Sequence, residues 1–170
     1  MTDFEKQLAA RVVEAPLTMH RDVVRPEWID KNGHMTFSAY ATAFTLASDK
    51  FLEYVGLSFN YTALTGYASY ALKWQISFLR ETFEGVALRF ETQLIDFTPK
   101  VYHHVTCMYD DGDGALLATA ENLDSSADAA ARRIAAMPAA HLALFERLMD
   151  AHRDLPRPPG VGEGIAVKRR

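Results

Sequence analysis

The segment Trp28–Thr36 brings together residue types that carry out chemistry, in the order Asp30, Asn32, Gly33 and His34. It lies between a predicted strand and a predicted long helix. The first backbone N–H groups of a helix have no partner inside the helix, and together with the helix dipole they favour negative charge. A carboxylate beside them can activate water or attack a carbonyl carbon while the N–H groups stabilise the oxyanion. Asp30 is the candidate carboxylate.

The same residues also have a purely structural interpretation. Gly33 would permit a sharp turn and the close approach of a ligand. His34 could form a hydrogen bond with the loop or with a substrate. Asp and Asn residues before a helix are nevertheless common as caps and turn formers, so residue types alone favour the structural interpretation. The position of the segment in the fold has to decide between the two.

Other candidates for chemistry are weaker. His103 and His104 are adjacent on a predicted strand, so their rings point to opposite faces and cannot hold one metal ion together. Cys107 is expected to be buried packing. Glu121 and its neighbour Asn122 could reach a pocket, although a polar pair facing an edge is the simpler interpretation. The chain shows neither metal-ligand spacing nor a glycine-rich phosphate loop, so we expect no metal and no bound cofactor.

Hydrophobic periodicity predicts the elements that position Asp30. Leu17–Arg25 forms a first strand that stops at Pro26. Apolar residues then recur at helical spacing from Phe37 to Val55 and predict one long helix. Thr36 is the expected N-cap, and Gly56 is the expected residue that ends this helix.

From Tyr70 the apolar period changes from helical to alternating. Strands are predicted at Tyr70–Phe78 and Val86–Leu94, followed by one beginning at Val101 and a last one at Ala115–Ser125. We expect these four strands to form a meander. The residues expected to share one apolar face of the first of them are Tyr70, Leu72, Trp74, Ile76 and Phe78. Two of them, Tyr70 and Trp74, are expected to be core or dimer contacts.

The C-terminal part of the chain divides into three stretches. The alanine content of Ala127–Ala136 predicts a helix. An amphipathic helix is predicted from Pro138 to about His152. We expect residues 1–155 to form a single domain and residues 156–170 to form an extended, Pro/Gly-rich tail with little to pack against and no role in catalysis. Lys168–Arg170 at its end is expected to be solvated.

Composition limits the class of protein further. The chain has 170 residues, a net charge of −4 and a single cysteine, which excludes an internal disulfide and fits a reducing compartment. No apolar run approaches the roughly 20 residues of a membrane span, and the start lacks a cleavable signal pattern. An acidic chain offers no basic field for nucleic acid. We therefore expect a cytoplasmic protein with neither membrane nor nucleic acid as partner.

The predicted order of one strand, one long helix, four strands and a terminal helix favours an α+β fold of two layers, with the helix covering the apolar face of the sheet. The long strands favour pairing of sheet edges between two subunits.

Asp30 to Thr36 resemble the Asp-x-x-Gly-His-x-Asn signature of hotdog-fold acyl-CoA thioesterases. Pro26–Ile29 before this segment and Tyr40 after it belong to the same resemblance. The most similar group is the 4-hydroxybenzoyl-CoA thioesterase-like branch. The resemblance extends over Leu17 to Pro159. Four further segments are similar to thioesterases associated with carnitine and betaine breakdown: Tyr70–Glu81, Phe90–Leu94, Ala118–Leu123 and Met137–Pro138.

This resemblance implies an antiparallel sheet wrapped around one long central helix, and a homodimer, with a tetramer as the alternative, whose active sites lie at the subunit interface. Asp30 matches the catalytic carboxylate, acting as general base or nucleophile. Phe37 matches the helix start that supplies an oxyanion-binding N–H. The residues expected to contact the substrate are Gly33, His34, Thr36, Phe37 and Tyr40.

Three functions stay open on these grounds. The first is an acyl-CoA thioesterase without metal or cofactor, in which coenzyme A enters only as part of the substrate. The second is a hotdog enoyl-CoA hydratase, whose pattern places four residues between its catalytic Asp and His, whereas three separate Asp30 from His34. The third is an acyl-CoA-binding protein in which Asp30 only fixes the loop. Thr36 stands where the signature has Asn, which keeps this third function open.

Arg132 and Arg133 would meet coenzyme A phosphates or be solvated.

Overall fold

The computed structural model describes residues 1–165, so the predicted solvated end Lys168–Arg170 lies outside the described residues. The helices are α1 (Asp3–Ala9), α2 (Phe37–Val55), α3 (Phe59–Thr65) and α4 (Ala139–His152), with a short 3₁₀ turn at Pro26–Trp28. The strands are β1 (Leu17–Val23), β2 (Tyr67–Phe78), β3 (Ala87–Phe97), β4 (Val101–Asp110), β5 (Leu116–Asp128) and β6 (Arg133–Ile134).

The strands form one antiparallel sheet in the order β1-β3-β4-β5-β2, with β6 paired to β5. The predicted meander is therefore correct for β3, β4 and β5 and wrong for β2, which pairs with β5 instead of β3. The chain between β2 and β3 crosses the start of α2, where the Thr82 carbonyl accepts a hydrogen bond of 3.0 Å from the Met35 N–H. After this crossing the chain enters β3, which is separated from β2 by β4 and β5 in the sheet.

Helix α2 begins and ends where its sequence predicts. The Thr36 hydroxyl accepts from the Ala39 N–H at 3.2 Å, and Gly56 ends the helix in the left-handed conformation. The apolar face of α2 packs on the sheet in two clusters, in which Phe44 meets Phe90 and Phe51 lies near Tyr102. The predicted architecture of a sheet wrapped around one long helix is confirmed.

Strand β2 departs from the predicted alternation. A β-bulge at Leu72 interrupts its pairing with β5, because Ala71 lies opposite Asp124 whereas Lys73 lies opposite Leu123. A bulge adds one residue and so shifts the side chains that follow it to the other face. Trp74 therefore faces α2 together with Ala71, and Tyr70 faces the opposite side. The expectation that Tyr70 and Trp74 share one face is wrong.

The expected helix at Ala127–Ala136 is also absent from the structure. Its first residues continue β5, Arg132 adopts a positive φ of 52°, and Arg133 begins β6. Alanine has the highest helix propensity, but the preference is worth less than about 1 kcal/mol per residue, and backbone hydrogen bonds to a neighbouring strand outweigh it here. Conversely, α1 was not expected, although Thr2 and Glu5 form a capping box that is visible in the sequence.

The C-terminal segment 156–165 lies against the face of the sheet that points away from α2. Val161 packs on the side chains of Ile95, Val105 and Cys107. The Gly162 N–H donates to the Glu121 carboxylate at 3.0 Å. The expectation that this segment has little to pack against is therefore wrong, because its few apolar and backbone groups find partners on β3, β4 and β5.

Gly56 supports a prediction about stability. A Cβ atom at this position would lie 2.8 Å from Phe4 Cζ, and φ is 76°. Gly66 also ends a helix with φ 73° but has nothing within 4 Å of such an atom. We expect Gly66→Ala to lower the free energy of unfolding by about 1 kcal/mol through backbone strain alone, and Gly56→Ala by about 2–4 kcal/mol. Urea unfolding measures both, and equal losses would contradict the predicted steric clash.

Within residues 1–165, no helix is long and apolar enough to cross a membrane.

Candidate active site

The loop before α2 is closed by its own backbone. Ile29 and Met35 form an isolated β-bridge, the Asp30 N–H donates to the His34 carbonyl at 2.9 Å, and the Thr36 N–H donates to the Trp28 carbonyl at 2.9 Å. Trp28 is buried beneath the Arg25 guanidinium, which lies 4.6 Å from its ring centre. The loop therefore holds Asp30 at a defined position close to the first turn of the helix.

The Asp30 carboxylate accepts hydrogen bonds from within its own loop. Its Oδ1 accepts from the Asn32 N–H at 2.7 Å and the His34 N–H at 3.3 Å, and its Oδ2 lies 3.3 Å from the Asn32 side-chain amide. The pKa of Asp30 is lowered, chiefly by the Asn32 backbone N–H, while burial acts in the opposite direction. Asp30 is therefore ionised above this lowered pKa and loses its charge only as the pH falls through it.

The start of α2 presents free hydrogen-bond donors. The N–H groups of Ala39 and Tyr40 donate to Thr36. In the part of the chain that the structure describes, the N–H groups of Phe37 and Ser38 have no partner. These two donors, at the positive end of the helix dipole, suit an oxyanion. Phe37 and Ser38 are both exposed residues, so the first turn of the helix lies at the surface of the chain.

His34 and Gly33 shape the exposed side of the loop. Gly33 has a φ of 85°, a value that favours glycine. His34 Nε2 lies 3.3 Å from Glu81 Oε2, and the His34 ring meets the edge of Phe83 at 5.3 Å. His34 therefore links the Asp30 loop to the loop that follows β2.

A cleft of about 350 Å³ lies at the start of α2. Its lining residues are Met35, Phe37, Tyr40, Phe78, Leu79, Arg80 and Glu81. Tyr40 meets the ring of Phe78 at 5.2 Å, and its hydroxyl donates to the Arg80 carbonyl at 3.2 Å. Burial raises the pKa of the Tyr40 phenol, which keeps it neutral at physiological pH. Tyr40 thus serves as a wall of the cleft.

The structure brings the predicted site residues into one region. Asp30, Gly33 and His34 share the loop, while Thr36, Phe37 and Tyr40 form the first turn of the helix. Sequence reasoning missed Phe78 and Glu81 as part of this region. Phe78 lies at the end of a predicted strand, but no sequence pattern indicates that this end meets the start of α2.

The remaining candidates lie away from this loop. His104 is fully buried with Nε2 2.9 Å from Asp124 Oδ2, and Cys107 is buried, as expected. His103 contacts Glu121 at 2.7 Å beneath the C-terminal segment. Arg132 and Arg133 are exposed. Among the described residues, no group of three or more His, Cys, Asp or Glu side chains could hold a metal ion.

A second cleft, of about 310 Å³, lies between α2 and strands β2 and β5. Its lining includes Asp49, Trp74 and Asp124. Trp74 is 41% exposed, so it does not belong to the core of the single chain, and the alternative of a dimer contact stays a prediction.

Comparison with known proteins shows the class that this fold and site define. Residues 24–145 match the Thioesterase-like superfamily. A Staphylococcus aureus protein whose structure was solved in complex with CoA superimposes with a TM-score of 0.82 at 22% identity, over 93% of this chain and 100% of that one. A 1,4-dihydroxy-2-naphthoyl-CoA thioesterase from Synechocystis superimposes with a TM-score of 0.64 at 17% identity, over 84% of this chain and 100% of that one. The fold is the hotdog fold.

Two curated relatives are more similar in sequence. A betainyl-CoA thioesterase of Pseudomonas aeruginosa is 33% identical over 151 residues, which cover 89% of this chain and 95% of that protein. An L-carnitine dehydrogenase/betainyl-CoA thioesterase of Rhizobium meliloti is 32% identical over 177 residues, which cover 99% of this chain and 36% of that protein. The chain therefore belongs to the thioesterase-like superfamily, and the predicted class of thioester hydrolase is confirmed. The roles of Asp30 and of the substrate-binding residues stay predictions.

Proposed function

We propose that this protein hydrolyses an acyl-CoA to the free acid and coenzyme A, with Asp30 as general base or nucleophile. One observation carries this proposal: an ionised carboxylate is fixed in the loop that immediately precedes two unpaired N–H groups, those of Phe37 and Ser38. A negative charge and oxyanion donors are the parts that thioester hydrolysis requires.

The reaction needs few steps, because a thioester is already activated and a thiolate leaves readily. Asp30 either removes a proton from a water molecule that attacks the carbonyl carbon, or attacks that carbon itself to form an anhydride that water then hydrolyses. In both routes the N–H groups of Phe37 and Ser38 donate to the oxyanion. The carbon–sulfur bond then breaks, and the thiolate of coenzyme A leaves. Neither route requires a metal or a bound cofactor.

The hydrogen bonds to Asp30 also fit the alternative of an acyl-CoA-binding protein without hydrolytic activity, because they fix the loop whether or not Asp30 reacts. Thr36 is consistent with both functions, since its hydroxyl is engaged as the helix cap. Release of thiol from a panel of acyl-CoAs distinguishes the two.

We propose a homodimer that forms along β2. Among the described residues, β2 pairs on one side only, with β5. It carries exposed apolar side chains, Leu72, Trp74 and Phe78, which are 48%, 41% and 55% exposed. An unpaired apolar edge strand is stabilised by pairing with a second copy.

We also propose a cytoplasmic location, which the lone unpaired cysteine supports.

For the acyl group we propose a short chain that ends in a quaternary ammonium, as in the betainyl-CoA named for two relatives. In a betainyl group this cation lies one methylene from the carbonyl carbon, so it must bind close to the start of α2. The cleft there offers the rings of Tyr40 and Phe78 and the carboxylate of Glu81. Aromatic faces and a carboxylate both attract such a cation.

Two acyl-CoAs of the same shape test this proposal. The acyl group of tert-butylacetyl-CoA replaces the ammonium nitrogen of betainyl-CoA by carbon and removes the charge. We expect the wild type to favour betainyl-CoA in kcat/KM by roughly tenfold or more. Glu81→Gln should reduce that preference roughly fivefold.

Glu84→Gln is the matched control, because Glu84 is exposed in the same loop and does not line the cleft. It should leave the preference unchanged. Equal hydrolysis of both substrates by the wild type would contradict the ammonium proposal while supporting acyl-CoA hydrolysis. Hydrolysis of neither substrate, nor of any other acyl-CoA in the panel, would contradict the thioesterase proposal itself.

A further inference from the structure

The cleft between α2 and strands β2 and β5 combines an aromatic ring with two carboxylates. Trp74 lines it from β2 and is 41% exposed, while Asp49 and Asp124 line it from α2 and β5. The apolar side chains of Leu52 and Ala71 form another part of its walls. Among the described residues, none that lines the cleft is Lys or Arg. The cleft is therefore negatively charged and partly apolar.

Asp124 is the carboxylate that the fold positions most firmly. It is 4% exposed, and its Oδ2 accepts from His104 Nε2 at 2.9 Å. His104 is fully buried and lies against Phe51, with 4.5 Å between the ring centres. Within residues 1–165, Asp124 Oδ1 forms no hydrogen bond. Because a buried charge is costly unless it is paired, the oxygen that His104 leaves free is a position for a cation.

Two further groups in the cleft lack partners. Asn122 lies opposite Trp74 in the pairing of β5 with β2, and its buried Oδ1 has no hydrogen-bond partner among the described residues. Buried acceptors are normally hydrogen-bonded. The Asp49 side chain is exposed and forms neither a hydrogen bond nor an ion pair in the described part of the chain. Three oxygen-bearing side chains thus line one cleft that supplies no positive charge of its own.

This arrangement favours an organic cation over a metal ion. Among residues 1–165, no group of three or more His, Cys, Asp or Glu side chains could hold a metal ion. A quaternary ammonium group donates no N–H bond and is held by an aromatic face, of which tryptophan is the best, and by negative charge. The volume of about 310 Å³ lies at the lower end of the range for small-molecule sites.

We propose that the cleft lined by Asp49, Trp74 and Asp124 binds a quaternary ammonium group. The choice of this cation rests on the acyl group proposed above, but the cleft is separate from the one that Glu81 lines. Asp49 lies about 16 Å along the axis of α2 from Ser38. The ammonium of a betainyl group, one methylene from the carbonyl carbon, cannot span this distance within one subunit.

The quaternary ammonium group has two possible sources. In the proposed dimer, antiparallel pairing about the middle of β2 places the end of one β2 level with the beginning of the other. Phe78, at that end, lies beside the start of α2, whereas Ser69 and Ala71, near the beginning, line the cleft. The acyl group held by one subunit would then reach the cleft of the other. The second source is a free quaternary ammonium compound.

Titration with tetramethylammonium chloride, followed by tryptophan fluorescence, tests the cleft in the full chain without any acyl-CoA. Trp74 is the reporter, because Trp28, the other tryptophan, is buried at 7% exposure. We expect the signal to saturate with a Kd of roughly 1 mM. tert-Butanol, which has nearly the same shape and no charge, should give no saturable change. Sodium chloride at the same concentrations controls for ionic strength.

Three substitutions locate the bound cation. Asp124→Asn keeps the size of the side chain and removes the buried charge, so it should raise the Kd roughly tenfold. Asp49→Asn removes an exposed charge that solvent screens, so it should raise the Kd only roughly threefold and leave the fold intact. Glu53→Gln is the matched control, because Glu53 lies one turn further along α2 and does not line the cleft. It should keep the wild-type Kd.

Asp49→Asn also distinguishes the two sources. If the acyl group of the other subunit enters the cleft, this substitution lowers the preference for betainyl-CoA over tert-butylacetyl-CoA roughly threefold as well. If the cleft takes a free cation, the preference keeps its wild-type value while the binding of tetramethylammonium weakens. Both results support a cation site.

A wild type that shows no saturable signal, or that responds equally to tert-butanol, would overturn the cation site. Wild-type affinity in both Asp124→Asn and Asp49→Asn would overturn it as well. Asp49→Asn keeps the test decisive if Asp124→Asn does not fold, because the Asp49 side chain is exposed. Hydrolysis of acyl-CoAs is measured separately, so loss of the cation site and loss of thioesterase activity are distinct results.

Discussion

Asp30→Asn should lower kcat on the best acyl-CoA by roughly 10²–10⁴-fold, which is the usual contribution of a positioned acid–base group. The substitution keeps the shape of the side chain and an oxygen that can accept from the N–H groups of Asn32 and His34. It removes the negative charge that either catalytic route requires. The melting temperature and the affinity for the acyl-CoA should therefore change little, since Asn caps and turns almost as well as Asp.

The chain offers a close control for this substitution. Asp110 is the last residue of β4, and its Oδ1 accepts from the Gly112 N–H at 2.8 Å and the Asp113 N–H at 3.4 Å in the hairpin turn that follows. Asp110→Asn thus makes the same chemical change in the same kind of turn, and kcat should stay at the wild-type value. An unchanged kcat in Asp30→Asn would reject Asp30 as the catalytic carboxylate. Glu81, which borders the cleft, would then be the next residue to test.

The pH dependence of kcat follows from the same hydrogen bonds. The lowered pKa of Asp30 keeps the carboxylate charged from neutral pH down to that pKa. Activity that depends on this charge should be lost only on the acidic side, as the pH falls through the lowered pKa.

Leu72→Lys should convert the dimer to monomers and remove most of the activity. Leu72 lies at the bulge of β2 and is 48% exposed in the single chain. In the proposed dimer it would be buried, and two-fold symmetry would bury the introduced charge twice. Because a buried unpaired charge is costly, the dissociation constant of the dimer should rise by at least roughly 10²-fold.

Val23→Lys is the corresponding change on the opposite edge of the sheet. Val23 lies on β1 and is 45% exposed, so its starting exposure nearly matches that of Leu72. Sedimentation should show a dimer for the wild type and Val23→Lys, and a monomer for Leu72→Lys. A wild type that is a 19.0 kDa monomer at micromolar concentration and still active would contradict both the dimer and an active site shared between subunits.

The sequence by itself determined the features that depend on local interactions. The bounds of α2 are predicted by three local signals: the hydroxyl of Thr36, the apolar spacing up to Val55 and the glycine at position 56. Caps and periodicity act over about one turn of helix, so they are visible in the sequence. The loop around Asp30 is also a local feature, and its residues Asp30 to Thr36 carry the family signature. Its hydrogen bonds join residues that are close in sequence, so the residue types already define them.

Only the tertiary structure decided which distant segments meet. Strand β2 pairs with β5, the bulge at Leu72 reverses the face of Trp74, and Phe78 and Glu81 border the start of α2. The alanine-rich stretch after β5 forms a strand pair, and the C-terminal segment covers the sheet. In each case the local sequence does not select the partner, because local propensities are weak. Contacts made across the chain, worth more than the propensity difference, select it.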